Sequence, residues 1–401
     1  VPAAKKAAPS ALDALLATAE KKFDLAVGPM SSIMTDTKFI STGNLALDHI
    51  IGGGIPVGRS VELYGKPSSG KTTTALQAMV NLQRIIMAGG SEELGVKATD
   101  RICFLDYEQA MDPEYAKSLG LDVDHRSFLF TQPDTMEEGL DFVIAMVETG
   151  ELRLSVLDSV AAMVPNMVAD SSVGKSLPAI AAKTMTIFGQ KMNPILKKHN
   201  STLILLNHAK EAMDMNRPSH LGPRITTPGG VALKFFASVR LEYAQIGQVK
   251  EPRLNQLTQE MEDTPVGTNV KVKVTKNKVA PPFRATIVQV RFGKGFDNFF
   301  SALQVLLAHK YISYQAGRYY FHKVEDKGLA PEWMARETQG TKRPNIHGKV
   351  ALYRAADEHP EWRQGLVDLA TEVISHQLDP DPETGEVEDD DEFIEAPADE
   401  A

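Results

Sequence analysis

Gly65-Lys66-Pro67-Ser68-Ser69-Gly70-Lys71-Thr72 has the spacing G-x-x-x-x-G-K-[ST]. An apolar run, 61–64, stands directly before it and a helical pattern, 73–79, directly after it. That context separates a phosphate-binding loop from a chance glycine-rich turn. The glycines let the backbone curl until its N–H groups face one centre, and the helix behind adds its positive end. Lys71 then offers a cation to the outer phosphates of a nucleotide, and Thr72 a hydroxyl to Mg²⁺.

Working outward, apolar strands at 60–64, 102–106, 128–131, 154–158 and 202–207 alternate with helical stretches. Such strands, each followed by a helix, predict a mostly parallel central sheet covered on both faces, an α/β fold. Asp106, Asp158 and Asn207 close three of the strands, at the edge where these sheets bind ligands. Asp158 is placed to hold Mg²⁺ through a water, as the second element of a phosphate-loop site. Residues 270–276 and 285–292 alternate with period two and predict antiparallel additions to the sheet.

The 401 residues include 43 Lys+Arg, 52 Asp+Glu and one cysteine, with 43% hydrophobic residues, ample for a core without disulfides. Cys103 lies in an apolar run and reads as a buried thiol in a reducing compartment. No apolar stretch approaches the ~20 residues of a membrane span, and residues 1–6 lack a signal core. The expectation is a soluble cytoplasmic protein with no membrane partner.

The net charge of −9 is uneven: residues 379–401 hold twelve acidic side chains and no Lys or Arg, leaving 1–378 at +3. A mildly basic body with an acidic strip fits a protein whose tail competes with nucleic acid; a solubilising tail fits equally. Near the other end, Ser10 caps a stripe of Leu12, Leu15, Leu16, Ala19 and Phe23, which must dock on its own core or on a neighbouring subunit.

Taken together, these segments resemble the RecA family of DNA strand-exchange proteins. The resemblance is carried by 41–48, Gly65 through Thr73, 104–113, 157–162, 229–240 and 274–283, in the family's order. It implies a RecA-type phosphate-loop ATPase core at 42–300 behind an N-terminal arm, 1–41, with an oligomerisation helix. A small α+β domain follows at 301–378, then an acidic disordered tail at 379–401. ATP and Mg²⁺ are the implied cofactors, with Asp112 and Tyr115 contacting the adenine and Glu108 orienting the attacking water. The resemblance carries Lys276 and Lys278 to the γ-phosphate of a neighbouring subunit, and Phe235 to a subunit contact beside Leu12, Leu16 and Phe23.

Two predicted mobile loops, 165–178 and 209–230, are assigned by the resemblance to single-stranded DNA. Their residues are Ser172 and Lys175, then Lys210, Arg217, Arg224, Thr226, Thr227, Gly229 and Gly230, with Lys183 on the helix after the first loop. Cations and glycine N–H groups can grip phosphates without reading bases. His208 departs from bacterial members, which carry Gln there; phage-type members carry Asn-His, as here. The resemblance makes it a sensor coupling ATP to DNA affinity. Residues 85–100 and 331–354 read as insertions.

The implied activity is an ATP-dependent recombinase, a DNA-dependent ATPase that forms a helical filament on single-stranded DNA. It would exchange strands with homologous duplex, in DNA repair, with single-strand-binding and mediator proteins as further partners. A hexameric RecA-fold motor or helicase is the alternative enzyme. A non-catalytic DNA-coating protein is a third reading, disfavoured by Lys71, Thr72, Glu108 and Asp158.

Overall fold

The computed structural model describes Ser10, Leu12, Leu15, Thr18 and residues 37–169, 178–212, 224–254, 260–325, 327–329, 335–338 and 341–378. The chain divides into two compact units, 1–38 and 39–401. In the first, Leu12, Leu15 and Thr18 are helical, as the apolar stripe requires. Leu16, Phe23 and the acidic tail lie outside the described residues.

A nine-stranded sheet organises the second unit. Its strands, in chain order, are β1 (Ser60–Gly65), β2 (Arg101–Asp106), β3 (Phe128–Thr131), β4 (Leu152–Asp158), β5 (Thr202–His208), β6 (Val239–Leu254), β7 (Met261–Asn277), β8 (Ala285–Arg291) and β9 (Gly295–Phe296). Across the sheet the order is β9-β8-β7-β6-β1-β5-β4-β2-β3. From β6 to β3 neighbours run parallel; β7, β8 and β9 add antiparallel pairs. The sheet is thus a mixed, mostly parallel one with the expected antiparallel extension.

The expected parallel strands fall where the apolar runs stand; β1, β2, β4 and β5 are buried on both faces and therefore apolar, whereas β3 is a half-buried edge strand. In β2, Ile102 and Phe104 join one apolar cluster while Cys103 and Leu105 join another on the opposite face. Burial pushes the Cys103 thiol up to about 12, so it stays protonated. Helices α1 (Leu45–Ile51) and α2 (Lys71–Met87) pack in the first cluster; α4 (Met136–Glu148) and α5 (Pro178–His199) pack in the second, with α3 (Pro113–Ser118) after β2.

Strand β6 is absent from the sequence reading, and it is the strand that joins the parallel and antiparallel halves. Val239, Leu241 and Tyr243 alternate inward, but beyond Tyr243 the run Ala-Gln-Ile-Gly-Gln-Val-Lys-Glu-Pro loses its apolar face. There β6 has passed the end of β1 and pairs only with β7, and its side chains are exposed or half-buried, so no burial maintains the alternation.

The stretches read as insertions contain regular structure among the described residues. After α2 comes a hairpin of Gly90–Ser91 with Val96–Lys97. The later insertion supplies Ala335–Thr338 and Thr341–His347 to a four-stranded antiparallel sheet with Ser313–Gln315 and Arg318–Tyr320. This sheet, the helix Asn298–Ala308 and the helix Pro360–Leu378 enclose a separate apolar cluster around Phe299, Phe321 and Trp362. The strand Arg318–Tyr320 gives way at His322 to a short helix. Among the described residues, no helix is long and apolar enough to cross a membrane.

Candidate nucleotide site and its link to the second loop

The phosphate loop leaves β1 at Gly65 and enters α2 at Lys71. Gly65 has no room for a side chain, since a Cβ would lie 2.3 Å from the Tyr243 carbonyl oxygen. Gly70 caps α2 in the left-handed region at φ 84, which glycine adopts without strain. Ser69 Oγ donates to the Lys66 carbonyl at 2.8 Å, closing the loop. Lys71 Nζ donates to the Lys66 carbonyl at 2.8 Å and to that of Gly65 at 3.3 Å, so the ammonium is folded over its own loop. Burial lowers the Lys71 pKa, and the Asp158 and Glu108 carboxylates oppose that shift.

Facing the loop are the ends of β2, β4 and β5. Thr72 Oγ1 donates to Asp158 Oδ2 at 3.2 Å. Burial, reinforced by the nearby Glu108 charge, pushes Asp158 up to about 6, against the Thr72 hydrogen bond. Glu108 accepts at Oε1 from the Ser159 hydroxyl and from His208 Nε2, the latter at 2.8 Å. Burial raises the pKa of Glu108, but the Ser159 and His208 bonds and the His208 and Lys71 charges overcome it, leaving the carboxyl below its usual value. Backbone N–H groups of Tyr107 and Glu108 both donate to the Asp158 carbonyl, which locks the two strand ends together.

Thr72, Asp106, Glu108, Met111, Asp112, Tyr115, Asp158 and Gly293 line one cleft of about 620 Å³. A second, of about 310 Å³, runs along Ser68 to Thr73 against Tyr115 and Phe292. Asp112 caps α3, accepting from Glu114 N at 2.9 Å, and Tyr115 Oη lies 2.7 Å from Thr73 Oγ1. Both line the first cleft beside the loop. Among the described residues no group of three or more His, Cys, Asp or Glu could hold a metal ion. Thr72 and Asp158 form a hard but incomplete oxygen pair. It suits Mg²⁺, which keeps waters and takes phosphate oxygens for its remaining positions.

Glu62 and Arg240, not singled out from sequence, join Asn207 in tying this site to the second loop. Glu62 is fully buried in β1, where Arg240 and Asn207 Nδ2 donate to its two oxygens. Asn207 Nδ2 also reaches the Pro228 carbonyl at 3.0 Å, where the second loop returns to the core. A glutamate inside Val61-Glu62-Leu63 was itself a signal, because a buried carboxylate demands partners.

The expected loops are partly regular. Asn166–Ala169 is a helical turn within the first. In the second, Lys210–Ala212 pairs antiparallel with Arg224–Thr226, because both flanks continue extended from the sheet edge. Ser172, Lys175 and Arg217 lie outside the described residues. Lys183 is exposed on α5, and Gly229 and Gly230 are left-handed at the start of α6 (Gly230–Phe236), directly after Thr227 and Pro228. Phe235 is 72% exposed. Lys276 and Lys278 lie together at the end of β7, beside the last turn of α6.

A family model described as the RecA N-terminal domain matches residues 10–297. The chain belongs to the RecA family. It is 34% identical to Protein RecA of Colwellia psychrerythraea, over 89% of this chain and 90% of that protein. Against Protein RecA of Lactobacillus acidophilus the identity is 35%, over 86% and 88%. Against that of Acinetobacter baylyi it is 38%, over 78% and 82%. RecA family membership accounts for the α/β core, for the phosphate loop at its centre and for the smaller unit behind it.

Proposed function

We propose that this RecA family member is an ATP-dependent recombinase that polymerises on single-stranded DNA and exchanges it with a homologous duplex. The observation that carries the proposal is the 2.8 Å contact between Glu108 and His208. It joins a carboxylate beside the phosphate loop to the strand that leads straight into the second loop, so nucleotide state and DNA grip share one hydrogen bond.

In this reading the loop N–H groups and Lys71 hold the triphosphate, while Thr72 and Asp158 hold Mg²⁺. Held there by Thr72 and Asp158, the ion would supply positive charge against that developing on the phosphates. Glu108, kept ionised, accepts a proton from the attacking water and orients it in line with the γ-phosphorus. His208 donates to the γ-phosphate or to Glu108, not to both at once with the same nitrogen. Triphosphate binding therefore releases Glu108 and repositions the start of the second loop. Lys276 and Lys278 complete the charge stabilisation from an adjacent subunit, which makes ATP part of the subunit contact. Lys183, Lys210, Arg217, Arg224, the Thr226–Thr227 hydroxyls and the glycine N–H groups of Gly229 and Gly230 take DNA phosphates, with Ser172 and Lys175 of the first loop. Phe235 and the helix bearing Leu12, Leu16 and Phe23 supply the head-to-tail contacts, which extend as a filament where they do not close.

Strand exchange between circular single-stranded and linear duplex DNA, with and without ATP, tests the proposal. ATP-dependent joint molecules and filaments are expected by electron microscopy. Closed six-membered rings with unwinding activity would instead identify a motor.

A further inference from the structure

Lys276 and Lys278 are engaged within their own chain. Lys276 Nζ donates to the carbonyls of Lys234 at 2.7 Å and Phe235 at 2.8 Å, and Lys278 Nζ stands 3.5 Å from the Phe235 carbonyl. These carbonyls belong to the last turn of α6, where a helix leaves acceptors without intrahelical donors and carries partial negative charge. Lys276 near the end of β7 and Lys278 just past it both reach the Phe235 carbonyl, so one strand end grips one helix end.

The gripped helix has a distinctive position. It starts at the left-handed pair Gly229–Gly230, just after the Pro228 carbonyl that Asn207 holds, and its last turn carries the outward-facing Phe235. It is a seven-residue strut between the second loop and an exposed aromatic.

The grip is also replaceable. Carbonyl oxygens carry partial charges, whereas a triphosphate oxygen carries a formal one and makes the stronger charge-assisted bond. Glu62, whose charge acts on Lys276, is already shared between Arg240 and Asn207. Burial and the adjacent Lys278 and Arg240 charges push Lys276 down to about 8, the mark of a cation short of anions.

We propose that Lys276 and Lys278 are the resting C-terminal cap of α6, and that their transfer to a triphosphate across the subunit seam uncaps the helix end bearing Phe235. The transfer half of this rests on the recombinase reading; the resting cap does not. A nucleotide held by one protomer thereby loosens, in its neighbour, the strut between the aromatic contact and the second loop.

Hydrogen exchange on the full chain without nucleotide or DNA tests the cap. Lys276→Ala/Lys278→Ala should speed exchange of amides 236–238 roughly fivefold, the size of one lost net hydrogen bond, with β1 and α2 unchanged as the folding control. Lys276→Gln alone, which keeps a neutral donor, should give a smaller rise. Unchanged exchange at 236–238 in both variants overturns the proposal. DNA-stimulated ATPase separates the two readings. Lost ATPase with unchanged exchange removes the cap and leaves the recombinase reading intact. Faster exchange with undiminished ATPase removes the change of partners.

Discussion

His208 Nε2 and Glu108 Oε1 are 2.8 Å apart although 100 positions separate them in the chain. Ser159, at the end of the intervening strand, donates to the same Glu108 oxygen. Three parallel strand ends are thus joined through one carboxylate, beside the lysine and threonine of the phosphate loop.

Replacing His208 by Ala leaves Glu108 with Ser159 and charge from Lys71 alone. DNA-stimulated turnover should fall about tenfold, the worth of one charge-assisted hydrogen bond, with the nucleotide KM nearly unchanged. His208→Gln, whose amide can donate, should recover most of it. Steady-state phosphate release with and without oligonucleotide reads both variants, and full DNA stimulation in His208→Ala would sink the coupling role.

Glu108→Gln keeps the size of the side chain but removes the base. Hydrolysis should drop by about two orders of magnitude or more, with nucleotide binding preserved. Single-turnover phosphate release beside an equilibrium binding titration separates the effects. A variant that still turns over at the parent rate would exclude Glu108 as the base.

Glu62→Ala would strand the Arg240 guanidinium in the interior. Its expected cost is about 3–5 kcal/mol, whereas removing both charges in Glu62→Met/Arg240→Met should cost far less, because no unpaired ion remains. Urea midpoints of the two variants check this; equal destabilisation would mean the pair is not the source.

Lys276 has its pKa lowered to about 8 by burial and by the Lys278 and Arg240 charges. Its ammonium is therefore present below about pH 8 and lost as pH rises through that value, well before an ordinary lysine. If it serves a phosphate, kcat/KM for DNA-dependent hydrolysis should decline above about pH 8, since that ratio reports the free protein's ionisations. Lys276→Arg keeps its charge at any accessible pH and should extend the plateau to higher pH. A profile unaltered by the substitution would remove Lys276 from the rate.

Legibility in the sequence followed burial. Arg101–Asp106 and Ser60–Gly65 stand where the apolar runs predict them, because a doubly covered strand announces itself by composition. The ribbon of β6 beyond Tyr243 did not, since an element with two exposed faces carries no periodic demand. Glu62 was visible as an anomaly, but its partners were not, because Asn207 and Arg240 sit on the two strands that flank it in the sheet.

The amino-acid order alone determined the phosphate loop, its lysine and threonine, the strand ends that face it and the family to which the chain belongs. These are local matters, settled by spacing along a few residues. Which side chains share a hydrogen bond was decided by the strand order β6-β1-β5-β4-β2 and by its parallel register. That order brings Glu108, Ser159 and His208 to one edge, and the antiparallel pairing of β7 with β6 brings the lysines at 276 and 278 to the end of α6. Pairings across 40 to 100 positions depend on how the strands cross over, and crossover order leaves no trace in any single stretch of sequence.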